Sequence, residues 1–138
     1  MQTALQVASI AVRSVEEASR QFTETLGLER VGPVHESQLG FDLRWQRIGS
    51  GGRGFIDLIE ATDEESMVAK FLARRGEGVY LIQLGVPDLK AAAAELKERG
   101  ARVIGAEHPD EMTMFWIHPS SAHGALIEVV EFDSTDGE

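Results

Sequence analysis

No cysteine occurs anywhere in the 138 residues. That absence excludes a disulfide framework, a thiolate nucleophile and any cysteine-ligated zinc or iron–sulfur centre, and it fits a reducing, cytoplasmic setting. Basic residues are scarce. Thirteen Lys and Arg stand against twenty-three Asp and Glu, a formal net charge of −10 at pH 7. So acidic a surface repels phosphate backbones and anionic headgroups, and neither nucleic acid nor a membrane is expected as a partner. No apolar run approaches the length of a membrane span, and Met1–Val12 lacks the basic start of a secretory leader. What is present suffices for one sizeable core, since 43% of the residues are apolar. The expectation is a soluble, acidic, cytoplasmic domain filling residues 1–138.

The chain then makes nearly the same statement twice. Gln6–Val12 is short, apolar and β-branched, the pattern of a buried strand. Ser14-Val15-Glu16-Glu17 has the form of a capping box, in which the serine hydroxyl takes the amide of the third helical residue and Glu17 reaches back. Val15, Ala18, Phe22 and Leu26 recur at helical spacing on one face, and Gly27 supplies a left-handed stop. In the other half of the chain Val79–Val86 is a second apolar strand. There, at one constant offset, Asp88 replaces Ser14 as the cap, and Leu89, Ala92 and Leu96 replace Val15, Ala18 and Phe22. Gly100 ends this second helix, whose KAAAAELKER core is built from strong helix formers. Strand patterns follow each helix: Glu29–His35, Phe41–Ile48 and Phe55–Ala61, then Arg102–Ile104, Thr113–Ile117 and Ala125–Phe132. Phe55–Glu60 and Leu126–Glu131 are near copies, each with an acid inside an apolar run.

Each half therefore reads βαβββ. Module 1 spans about 5–61 and module 2 about 79–132, and the connector 62–78 carries a helical piece, Glu65–Ala73, with Met67, Val68, Phe71 and Leu72 in a stripe. A repeat unit this long implies two modules that pack on each other, not a solenoid. The glycine-rich Gly49–Gly54 reads as a hairpin loop, because the Lys-Ser/Thr and helix of a phosphate cradle do not follow it.

Paired βαβββ modules in so short a chain resemble the vicinal oxygen chelate superfamily: glyoxalase I, extradiol dioxygenases, fosfomycin and bleomycin resistance proteins, and methylmalonyl-CoA epimerase. The connector from Glu65 to Val79 is similar to the SPIAKFLEKRGEGIHH stretch of the epimerases, and HPSSAHGALIEVVE, ending at Glu131, is similar to their HPKSTGGVLIELVE. The resemblance implies an α+β fold, two βαβββ modules forming one barrel-like sheet around a central cleft, commonly as a homodimer. It also implies a divalent metal held by His, Glu or Gln, His and Glu from four strands. Matching the family's DHIGIAV to Gln6–Val12 puts Val7 at the first histidine, and matching HHIAF to Tyr80–Leu84 puts Leu81 at the second. Val7 and Leu81 are separated by the same interval as the helix caps Ser14 and Asp88. Of the four corners only the acids Asp57 and Glu128 remain, and the epimerases' second base falls on Gln38.

An aliphatic side chain has no lone pair for a transition metal, so no metal site and no cofactor are expected. His35, His108, His118 and His123 fall in loops or at strand ends, not at ligand positions. Asp57 and Glu128 sit in apolar runs where a bare carboxylate is costly. In one reading they are hydrogen-bonded relics. In the other they share a desolvated cleft, where burial and mutual repulsion raise at least one pKa and make an acid/base pair led by Glu128. Arg44 either pairs an anionic substrate group or is a solvated edge charge. Trp45 and Trp116 are as far apart in sequence as Asp57 and Glu128, and they read as counterparts that pack the core or form an aromatic wall. Ser9 and Gln83 share strand parity with Val7 and Leu81 and are candidate hydrogen-bond donors to a ligand, whereas Tyr80 has the opposite parity and a structural role.

Three functions follow from these readings. The first is a metal-independent relative of the epimerases that moves a proton on a small organic acid or acyl thioester through Glu128 and Asp57. The second is a ligand-sequestering protein of the bleomycin-resistance type, and the third a metal-dependent epimerase with an atypical ligand set. For a CoA ligand, Lys70, Arg74 and Arg75 form the one evident basic cluster.

Overall fold

A computed structural model describes residues 2–37, 42–50 and 54–132. Gln38, the position matched to a second base, lies outside the described residues. The first module runs β1 (Ala4–Ala11), α1 (Val15–Leu26), β2 (Glu29–Ser37), β3 (Leu43–Gly49) and β4 (Phe55–Ala61). After α2 (Met67–Arg75) the second module repeats the order as β5 (Gly78–Val86), α3 (Leu89–Glu98), β6 (Val103–Ile104), β7 (Met114–Ile117) and β8 (Ile127–Glu131). Short 3₁₀ turns, Pro109–Glu111 and Pro119–Ser121, flank β7. The mixed α+β class and the doubled βαβββ order are those expected from the sequence.

The helix starts obey the capping chemistry. Ser14 Oγ accepts from the Glu17 amide at 3.1 Å, Asp88 Oδ1 from the Ala91 amide at 3.0 Å, and Gly27 closes α1 in the left-handed region at φ 71°. The connector helix begins two residues later than its apolar stripe suggested, because Ser66 caps it, accepting from the Ala69 amide at 3.1 Å. Two further caps come from far along the chain. Glu60, at the end of β4, accepts from the Val15 amide at 2.7 Å, and Glu131, at the end of β8, accepts from the Leu89 amide at 3.1 Å. Each module thus ties the first turn of its helix to its last strand with one carboxylate, which also answers the positive end of the helix dipole.

The strands lie in the order β2-β3-β4-β1 in the first module and β6-β7-β8-β5 in the second. In each, the first strand pairs in parallel with the last (β1 with β4, β5 with β8) and the remaining pairs are antiparallel. By contact the chain divides into two compact units, Val7–Tyr80 and Met1–Gln6 with Leu81–Glu138, and each has its own core. In the first, α1 covers one face of the strands, with Val12, Val15, Ile48 and Leu58 buried together. On the opposite face α2 covers Ala11 and Ile59 through Val68, with Phe71, Leu72 and Tyr80 packed around them. In the second unit, α3 sets Leu89, Ala92 and Ala93 against Val86, Phe115, Ile117 and Val129. Alternation along each strand then fixes what the face away from α1 or α3 carries. Among the described residues no helix is long and apolar enough to cross a membrane.

Candidate functional site

Register places one row of side chains in each module on the face away from α1 or α3. In the first, Ser9 on β1 pairs with Asp57 on β4, which pairs across to Arg47 on β3. In the second, Gln83 on β5 pairs with Glu128 on β8, which pairs across to Trp116 on β7. The two rows occupy equivalent ladder positions. Their chemistry differs.

The first row is centred on an ion pair. Arg47 Nε and Nη2 donate to Asp57 Oδ1 and Oδ2 at 2.9 and 3.1 Å, a bidentate fork. Only 12% of the Asp57 side chain and 30% of the Arg47 side chain are exposed. The hydrogen bond to Asp57 raises the Arg47 pKa above its ordinary value, and the aspartate's charge adds to this against the opposing effect of burial. The guanidinium carbon lies 5.0 Å from the ring centre of Phe55 and 5.5 Å from that of Trp45, so two aromatic faces also hold it. Gly49 makes room for this arrangement: a Cβ there would stand 3.0 Å from the Phe55 ring. Ser9 is buried, and its hydroxyl has no hydrogen-bond partner among the described residues. Val7, 3% exposed, shares the face, since it pairs with Phe55 two positions before Ser9 meets Asp57.

The second row holds a carboxylate without a cation. Gln83 Nε2 donates to Glu128 Oε1 at 2.9 Å, and Glu128 Oε2 has no partner among the described residues. Both side chains are half-buried. The Trp116 ring stands beside Glu128 and rests on Gly105, where φ is +88° and a Cβ would meet the ring at 3.0 Å. Leu81 precedes Gln83 by two positions on β5 and lies on the same face by alternation.

The candidates chosen from sequence divide accordingly. Asp57, Ser9, Glu128, Gln83 and Trp116 fall in the two rows. Arg44 does not. It lies on the α1 face, where its Nη2 donates to Glu36 at 3.1 Å and its Nη1 stands 3.9 Å from Glu60. The arginine on Asp57's face is Arg47, which the strand pattern did not single out. Trp45 and Trp116 are not counterparts: Trp45 pairs with Ile59, and the residue equivalent to Trp116 is Arg47. The cause is a β7–β8 connection from Trp116 to Glu128 that is longer than the β3–β4 connection from Arg47 to Asp57. Trp45 stacks on His35 at 4.4 Å and packs against the core under α2. Tyr80 packs edge-on against Phe71 at 5.2 Å, the structural role expected of it. His118 Nδ1 accepts from the Ser120 amide in the turn before β8.

A divalent ion does not fit this donor set. Val7 and Leu81 offer no lone pair, and both Asp57 oxygens already accept from a guanidinium that would repel a cation. Among the described residues no three His, Cys, Asp or Glu side chains converge on one point.

Comparison with known proteins shows the same lineage as the geometry. The model of the Glyoxalase/Bleomycin resistance protein/Dioxygenase superfamily matches residues 6–114. The ethylmalonyl-CoA/methylmalonyl-CoA epimerase of Cereibacter sphaeroides is 32% identical over 126 residues, covering 88% of this chain and 92% of the relative. Among solved structures, methylmalonyl-CoA epimerase from Mycobacterium tuberculosis is 30% identical with a TM-score of 0.79, over 95% of this chain and 89% of that one. A hypothetical protein from Bacillus halodurans is 29% identical with a TM-score of 0.85, over 97% of both chains.

Proposed function

Because the chain belongs to the glyoxalase/bleomycin resistance protein/dioxygenase superfamily, we propose that it is an epimerase-like isomerase of acyl-CoA thioesters that works without a bound metal ion. Its proton-transfer group is Glu128. The observation that carries this reading is the Gln83–Glu128 contact: one carboxylate oxygen is fixed by an amide at 2.9 Å, and the other is left to meet a ligand. A carbon acid next to a thioester carbonyl needs a base held within reach of its C–H bond. In the forward step that bond breaks, Glu128 Oε2 takes the proton, and the electron pair moves to the carbonyl oxygen as an enolate. The second N–H of Gln83 is positioned to donate to a ligand oxygen beside Glu128. Return of the proton restores the thioester. Trp116 supplies an apolar neighbour beside the acid.

In this reading Asp57, held by Arg47 in a bidentate pair, takes no part in proton transfer. With a single base, inversion requires the planar enolate to take its proton on the opposite face, from water or after turning over in the site, so exchange with solvent outpaces inversion. The test is to incubate methylmalonyl-CoA with the protein in deuterium oxide and follow the α-proton by NMR. Wild type loses the signal, and Glu128→Gln loses that activity by at least a hundredfold while keeping its melting curve. Unchanged exchange in Glu128→Gln refutes the assignment, and exchange that appears only with an added divalent ion refutes metal independence.

A second reading, ligand sequestration without turnover, is favoured by the same neutralised Asp57, which leaves one unpaired acid where an epimerase that inverts its substrate uses two groups. Saturable binding of methylmalonyl-CoA with no deuterium incorporation supports it.

A further inference from the structure

The guanidinium of Arg47 has three N–H bonds that the Asp57 fork does not use. Of its five, Nε–H and one on Nη2 go to Asp57, which leaves both on Nη1 and the second on Nη2. These lie on edges of the planar group that face away from the aspartate, and Nη1 has no hydrogen-bond partner among the described residues. The group cannot swing freely, because Asp57 grips one edge and the Trp45 and Phe55 rings flank it at 5.5 and 5.0 Å. An arginine held in this way has already lost the side-chain entropy that binding would otherwise cost.

We propose that Arg47, fixed by Asp57, is an anchor for a carboxylate carried on a short carbon chain. The free Nη1/Nη2 edge matches the two oxygens of a carboxylate. Trp45, Phe55 and buried Val7 line the same face with apolar surface, which suits the carbon chain of an organic acid better than a fully hydrated phosphate. Asp57 is then a positioning residue. Its carboxylate holds the cation that recognises the ligand. The choice of ligand rests on the isomerase reading, since an acyl-CoA with a free carboxylate is such an acid, but the geometry of the anchor belongs to the first module alone.

The experiment uses the full chain labelled with ¹⁵N-arginine and malonate as the probe, with propionate, phosphate and chloride in parallel. Malonate is expected to shift the Arg47 side-chain resonances saturably, and phosphate to do so at least tenfold more weakly. Arg47→Lys keeps the charge but loses the fork, and malonate binding, followed by calorimetry, falls at least tenfold. Arg47→Met paired with Asp57→Asn removes the ion pair without stranding a buried charge, and it abolishes malonate binding while the protein stays folded. Malonate binding retained in either variant overturns the proposal, and phosphate binding as tight as malonate overturns the carboxylate assignment. Malonate binding through Arg47 with no deuterium exchange on methylmalonyl-CoA keeps the anchor and removes the isomerase. Exchange with no malonate response at Arg47 does the reverse.

Discussion

Cutting one partner from the Arg47–Asp57 pair should cost far more than removing both. Asp57 shows only 12% of its side chain to solvent, and Arg47 satisfies both of its oxygens at 2.9 and 3.1 Å. Arg47→Met strands that carboxylate. Loss of one partner of a fully buried pair costs about 3–5 kcal/mol, and discounting for the 30% exposure of Arg47 leaves about 2–3 kcal/mol. Asp57→Asn is milder, about 1–2 kcal/mol, because the more exposed guanidinium turns to water. Arg47→Met combined with Asp57→Asn leaves no charge to desolvate, and it should lie within about 1 kcal/mol of wild type. The coupling energy of the cycle is therefore about 2 kcal/mol or more. Urea denaturation at pH 7, followed by far-UV circular dichroism, measures all four proteins. A loss below about 0.5 kcal/mol in Arg47→Met, or a double variant equal to the two singles added together, would refute the buried pair as described.

Other perturbations test other parts of the molecule. Phe115→Ala empties a fully buried position under α3 and should cost about 3–5 kcal/mol in the same denaturation assay. Gly85→Ala puts a Cβ 2.7 Å from both the Gln6 side chain and the Phe132 ring; the loss should be about 1–3 kcal/mol, with part of it recovered by adding Gln6→Ala. Glu131→Ala removes the acceptor for the Leu89 amide and should cost about 1 kcal/mol, with earlier fraying of α3 seen by hydrogen exchange. Lys90 lowers the Asp110 pKa through a 2.8 Å hydrogen bond, so the pair's contribution is present above the ordinary carboxylate range and is lost as pH falls through the lowered value. Both groups are exposed, so Asp110→Asn should flatten that acid limb only at low salt.

The features legible in the sequence were those with local causes. Ser14, Asp88 and Gly27 act within one helical turn, and the constant offset between the two halves is enough to identify β5 as the counterpart of β1 and α3 as the counterpart of α1. Glu60 and Glu131 read only as acids closing apolar runs, because the amides they serve lie 45 and 42 residues away. The choice between Arg44 and Arg47 turned on the parity of β3 against β4, and a shift of one position sends every side chain to the other face. Ile48 carried the missing signal. As the apolar residue facing α1, it places Gln46 and Arg44 on its own side and Arg47 on the other. Spacing alone also misled on the tryptophans, since equal separation in sequence survives only where the loops between are equally long.

The carboxylates that fasten α1 and α3 are on the reverse of the strands from Arg47 and Glu128. What grips the helices and what meets a ligand therefore belong to separate sides of each module's strands, and a substitution on either is felt weakly on the other. Such a backing plate permits new specificities by exchanging the residues at positions 9, 47, 83 and 116, which face away from α1 and α3, while the helix moorings are inherited unaltered.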